Sequence, residues 1–135
     1  MHEAFQQAGR IDDPVGRLDY WYEQVWAEDI DYRAIEGALD DRGPIIGREA
    51  MREYVADWVD TLDEFDFRPE EIIEAGDGMF VAVIRFGGKI RGSENVVQQK
   101  MSVVWTFRDG KMVRGREYNT RAEALREAGL DDSGE

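Results

Sequence analysis

No cysteine and only one histidine, His2, occur among the 135 residues. The missing thiols remove disulfides and thiol chemistry, which fits a cytoplasmic location. The two scarcities together exclude a zinc site built from His and Cys. With His2 at the start of the chain, a Ser-His-Asp arrangement has no well-held base. Proline is rare, at three residues. No apolar run approaches the ~20 residues needed to span a bilayer, so no membrane partner is expected. The opening "MHEAFQQAGR" is polar and amphipathic, unlike a secretory signal. Basic residues are also scarce, 17 against 30 acidic ones, for a net charge of −13. Such a surface repels phosphate backbones and argues against nucleic acid as a partner. The acidic excess falls in "AEDID", "DTLDEFD", "RPEEIIEAGD" and "DDSGE", and reads as a solubilising surface. No D-x-[DN]-x-[DN]-G calcium loop is present. No metal and no cofactor are expected.

What is present is enough chain for one domain with a real core. The expected domain covers 1–135, with 130–135 as a disordered tail. Residues 1–9 read as a short helix. Asp13 is a plausible N-cap with Pro14 at the first helical position, and Leu18, Trp21, Tyr22, Val25 and Trp26 recur at helical spacing. Ile30–Gly37 reads as a first strand. The clearest element is a helix from Arg48 to about Leu62. Its apolar stripe is Met51, Tyr54, Val55, Trp58, Val59 and Leu62. "FDFRPEEIIEAGDG" reads as a strand ending in an Asp77-Gly78 turn, and Pro69 marks it as an edge or a strand start. "MFVAVIRF" is a hydrophobic strand that Gly87-Gly88 closes with a turn or bulge. "NVVQQKMSVVWTF" is a long strand, turned by Asp109-Gly110 into "MVRGREY". Thr120 to Glu123 forms a capping box for a last helix closed by Gly129. Helices before a bent, mostly antiparallel sheet give an α+β fold: a cone-shaped, strongly curved sheet wrapped over about three N-terminal helices. A cavity is expected between the layers.

The pieces "GREAMREY", "EEIIEAGDG", "VVWTFRDGKMVRGREY" and "RAEALREAGL" resemble the SnoaL-like branch of the NTF2-like superfamily, over nearly the whole chain. That fold hosts ketosteroid isomerases, polyketide cyclases, dehydratases, epoxide hydrolases and non-enzymes, so the resemblance carries the fold and not one reaction. It places the isomerases' Asp base at Ala34 and a second acidic or His position at Val103. The Asp and His residues of the known dyads are therefore missing. It also implies a homodimer through the outer sheet face, around Val104, Thr106 and the Arg114/Arg116 side.

Strand alternation extends this to a pocket. If Val103 faces inward, so do Met101, Trp105 and Phe107, and the resemblance suggests that Gly115, Glu117 and Asn119 share that face. On "MFVAVIRF" the inward set is Phe80, Ala82, Ile84 and Phe86; on the first strand it is Tyr32 and Ala34, with Glu36 at its end. Helices add Trp21 or Tyr22, Trp26, Tyr54 and Trp58. Trp26, Trp58 and Trp105 read first as core residues and second as stacking platforms. A site this apolar suits a small apolar or aromatic molecule. Glu117 is the sharpest candidate. It is either a structural carboxylate held by hydrogen bonds, or a general base with Tyr32 or Tyr54 donating to a developing oxyanion. The leading reading is a small-molecule-binding protein. The alternatives are an isomerase, cyclase or dehydratase moving a proton next to a carbonyl, and a non-catalytic dimerisation module.

Overall fold

The computed structural model describes residues 18–38 and 41–130, with the side chains of 64–66 left aside. The expected helix over 1–9, the Asp13 cap, Pro14, His2 and residues 131–135 lie outside the described residues.

Residues 18–20 are helical and run into a π-helical turn, Trp21–Val25. Leu18, Trp21 and Val25 form its buried stripe. The Trp26 N–H donates back to the Trp21 carbonyl, and Trp26 is already extended, at φ −82 and ψ 131. The first strand, β1, is therefore Trp26–Arg33 and not Ile30–Gly37. The helical periodicity through Trp26 misled because Trp26 and Ile30 are both buried, four residues apart, across a register shift between Trp26 and Asp31. A bulge breaks the alternation that marks a strand.

β2 is a two-residue strand, Ile45–Ile46, that the sequence pattern does not announce. Helix α1 is Arg48–Thr61, started at Gly47, where φ is +90. It buries Met51 and Tyr54. Strands β3 (Leu62–Gly76), β4 (Met79–Ile90), β5 (Val96–Arg108) and β6 (Lys111–Tyr118) follow as a meander. The sheet order is β2-β1-β6-β5-β4-β3. β1 runs parallel to β6, and the other pairs are antiparallel. The result is a curled, mixed half-barrel. Register shifts in β3, one of them between Pro69 and Glu71, and another between Thr106 and Phe107 bend it. Pro69 sits on the edge strand, where a missing N–H is tolerated. Asp77-Gly78 and Asp109-Gly110 turn with both residues at positive φ, as two-residue hairpins prefer. Gly87 and Gly88 do not turn the chain, since β4 pairs with β5 without interruption, but the register with β3 shifts beside them, between Asp63 and Asp66. A Cβ on Gly87 would lie 2.0 Å from the Val97 carbonyl oxygen, so the glycine is there for close strand approach.

Helix α2, Arg121–Glu127, is capped by Thr120, whose hydroxyl accepts the Glu123 N–H at 3.2 Å. Its end is a Schellman motif: Gly129 N–H to the Arg126 carbonyl and Leu130 N–H to the Leu125 carbonyl. Leu130, expected to open a tail, is thus part of the fold. α2 lies on the outer face, where Ala124 and Leu125 pack on Val81 and Val104. Arg121 pairs with Glu71 at 2.9 Å and ties the helix to β3. Val104 is therefore covered by the chain's own helix, which removes it from the outer surface expected for a dimer.

The loop after β1 is organised by Asp41. Its carboxylate accepts from Arg33 at 3.1 Å, from Gly37 N–H at 2.9 Å and from Gly43 N–H at 3.0 Å. These contacts, Arg33 first, hold its pKa down to about 2. A carboxylate with a depressed folded-state pKa stabilises above its unfolded value of ~3.9 and loses that contribution as pH falls toward the folded value. The stability difference between wild type and Asp41→Asn is expected to be constant from neutral pH down to about 5 and to shrink between roughly pH 4 and 2. Thermal melts of both proteins across that range check it.

Candidate functional site

The parallel register of β1 on β6 builds the centre of the site. Tyr32 lies opposite Gly115, and Glu117 is the next inward residue along β6. Because Gly115 has no side chain, the Tyr32 ring can lie across it; a Cβ there would be 2.4 Å from Tyr32 Cδ2. The Tyr32 hydroxyl then donates to Glu117 Oε2 at 2.5 Å. The Tyr54 hydroxyl, reaching down from α1, makes longer contacts of 3.4 and 3.3 Å to Oε1 and Oε2. Glu117 is only 7% exposed. Burial disfavours its charged form, while hydroxyl donors favour it. Arg116 points the other way and pairs with Asp31 at 3.0 Å. Arg42, from the Asp41-held loop, stacks over the Tyr54 ring at 5.3 Å and bridges to Asp57 at 2.8 Å.

Above Glu117 is a cavity of about 90 Å³. Of the side chains expected there, Tyr32, Tyr54, Trp26, Trp58, Ile84, Phe86, Met101, Trp105 and Glu117 line it. Trp26 does so from a strand and not from a helix. Trp21, and not Tyr22, is the aromatic residue that the helical turn contributes. Tyr22 instead packs outside, under Arg48 at 4.5 Å, with its hydroxyl donating to Glu49; that bond pushes its pKa up.

Other expected residues do not line the cavity. Ala82 and Val103 are fully buried in the sheet floor, and Ala34 is buried just beyond the end of β1. Gly115 lies under the Tyr32 ring. Phe80 packs edge-on against Phe107, 5.9 Å between centroids, away from the hollow. Asn119 is exposed, past the end of β6. Glu36 is exposed in a turn.

Val25, Met51, Val55, Phe67 and Met112 also line the cavity, beyond the set that strand alternation predicts. Met51 and Val55 belong to the α1 stripe and could have been read from it. Met112 could not. It is an odd number of residues from Gly115, and only the register shift at Thr106/Phe107 brings both to one face.

The walls are aromatic and aliphatic, and Glu117 is the one charged side chain among the described residues that line them. Trp58 stands edge-on to Phe86 at 5.5 Å, and Trp21 edge-on to Phe67 at 5.2 Å. Trp21 Nε1 is buried and has no acceptor among the described residues. No group of three or more His, Cys, Asp or Glu among the described residues could hold a metal ion. No described helix is long and apolar enough to cross a membrane.

Residues 15–115 match the SnoaL-like domain. The chain belongs to the SnoaL-like family. Solved structures share its fold at low identity. Bal32a, from a soil-derived mobile gene cassette, superposes with a TM-score of 0.71 at 17% identity, over 93% of each chain. A Mycobacterium tuberculosis protein crystallised with estradiol-17β-hemisuccinate gives 0.69 at 15% identity, over 87% of this chain and 92% of its own. A Catenulispora acidiphila protein with a ketosteroid isomerase-like fold, crystallised with trimethylamine, gives 0.63 at 19% identity, over 84% and 82%. A comparison with curated protein sequences gives no match.

Proposed function

We propose that this SnoaL-like protein binds a small, mostly apolar molecule in the cavity over Glu117. The observation that carries the reading is a carboxylate buried in an aromatic hollow and held by the Tyr32 and Tyr54 hydroxyls. Apolar walls with a few fixed polar atoms are what orient small ligands. Two fold relatives hold small molecules, trimethylamine in one and a steroid ester in the other, which supports binding of this general kind. Ala34 and Val103, where the family resemblance places catalytic Asp and His residues, carry no ionisable group. This is why binding is put ahead of catalysis. A hollow is also more than a purely structural dimerisation module needs. The homodimer stays part of the reading, through the outer face that α2 leaves open near Thr106 and Arg114.

Methionine methyl groups test the binding reading. Met51, Met101 and Met112 line the cavity, while Met79 packs on the outer cluster. With methyl-labelled methionine, titration with small ketones, alcohols and amines is expected to shift the three cavity resonances and leave Met79 in place. Ligands that move none of the three, or all four alike, contradict it.

A second reading has its own support in the same carboxylate: Glu117 as the base that moves a proton next to a carbonyl, with Tyr54 donating to the oxygen that gains charge. Deuterium exchange into cyclohexanone in D2O is then faster with wild type than with Glu117→Gln, by about 10²-fold or more. Equal rates remove Glu117 as a base and leave the binding reading untouched.

A further inference from the structure

Eight aromatic side chains, four of them tryptophans, share the cavity wall with the Glu117 carboxylate. Aromatic faces attract cations, and boxes of such rings hold alkylated ammonium groups. A carboxylate in the same wall supplies the counter-charge where screening is weak. The same carboxylate repels an anion. The net charge of −13 enriches cations near the whole chain. Trp21 adds an independent observation from the opposite layer. It is 8% exposed, forms part of the wall, and its Nε1 lacks an acceptor among the described residues. A buried donor without a partner is costly, and an oxygen on the occupant would satisfy it. Size limits the occupant further. The hollow, at about 90 Å³, is smaller than the ~150 Å³ apolar cavity that takes up benzene.

We infer that the cavity takes a compact alkylated ammonium centre carrying a hydrogen-bond-accepting oxygen. The methylated nitrogen lies against the rings beside Glu117, and the oxygen accepts from Trp21 Nε1. This rests on the binding reading above and names its ligand class.

Three probes of nearly one shape separate the contributions: tetramethylammonium, trimethylamine N-oxide and tert-butanol. The first has a net positive charge and no oxygen, the second is net neutral with a cationic nitrogen bonded to an oxide oxygen, and the third has a hydroxyl oxygen and no charged centre. Titrations followed at the Met51, Met101 and Met112 methyls are expected to show both nitrogen compounds binding at least about tenfold tighter than tert-butanol. Glu117→Gln is expected to reduce the advantage of tetramethylammonium to the share that the rings supply. Trp21→Phe is expected to weaken the N-oxide and leave tetramethylammonium unchanged. The inference is overturned if tert-butanol matches tetramethylammonium on the wild-type protein, a comparison that needs no variant to fold. The oxygen assignment is overturned if the N-oxide binds a folded Trp21→Phe protein as tightly as wild type. If none of the three probes, nor any ketone, alcohol or amine, moves the cavity methionines, the binding reading itself falls. Binding of tert-butanol with equal or greater strength sinks only the ammonium class.

Discussion

Gly115→Ala is expected to destabilise the protein by about 1–3 kcal/mol, through overpacking alone. The added methyl would sit 2.4 Å from Tyr32 Cδ2 and 2.5 Å from Cε2. Those atoms form one edge of a rigid ring, so no small rotation of a flexible tip relieves the clash. Tyr32 is itself buried in the core cluster, between β6 and Tyr54, whose ring centroid is 5.9 Å away. The ring must therefore leave its place, and the 2.5 Å bond to Glu117 goes with it. A thermal melt is expected to show Tm lower by roughly 4 °C per kcal/mol lost. Tyr32→Phe, which keeps the ring and removes only the hydroxyl, isolates the hydrogen-bond share of that loss. A Gly115→Ala protein as stable as wild type would show that the Tyr32 ring does not lie across β6.

The second large effect separates two tryptophans that the sequence treats alike. Trp26→Ala is expected to cost about 3–5 kcal/mol, the usual range for emptying a buried aromatic site. Trp26 is buried at the start of β1, opposite Met112, with Trp21 6.3 Å away. Trp58 is only partly buried and leans on the core from the α1 side of the cavity. Trp58→Ala is expected to cost less stability and to weaken ligand binding more. Urea denaturation and methionine-detected titration of both variants give the two orders, and a reversed pair would reassign which ring is wall and which is scaffold. Against a total stability of ~5–15 kcal/mol, the Trp26 loss is a large share.

These two sites also show where the sequence was sufficient. The α1 stripe, the two Asp-Gly hairpins and the Thr120 cap are local rules read from a few neighbouring residues, and the structure shows each of them. The inward direction of Glu117 came from the family resemblance, and its pairing with Val103 on β5 agrees with it. Local rules failed where the sheet is irregular. The shift between Trp26 and Asp31 hid the start of β1, and the one at Thr106/Phe107 hid Met112. Gly87 looked like punctuation because its requirement comes from a strand ten residues further on, at Val97. The size of the hollow was not legible at all. It depends on how far Trp105 and Ile84 stand above Val103 and Ala82, a difference that appears only when α1 and the helical turn are laid over the sheet.

The central claim is a hollow, walled by rings, with the Glu117 carboxylate in its lining. A crystal structure determined under xenon pressure tests it whatever the natural ligand is, because xenon enters apolar cavities of this kind. The expected result is a xenon atom bounded by Met51, Trp58 and Trp105, with Glu117 turned toward it and in contact with Tyr32. Side chains packed through that space, or a Glu117 carboxylate facing solvent, would contradict it.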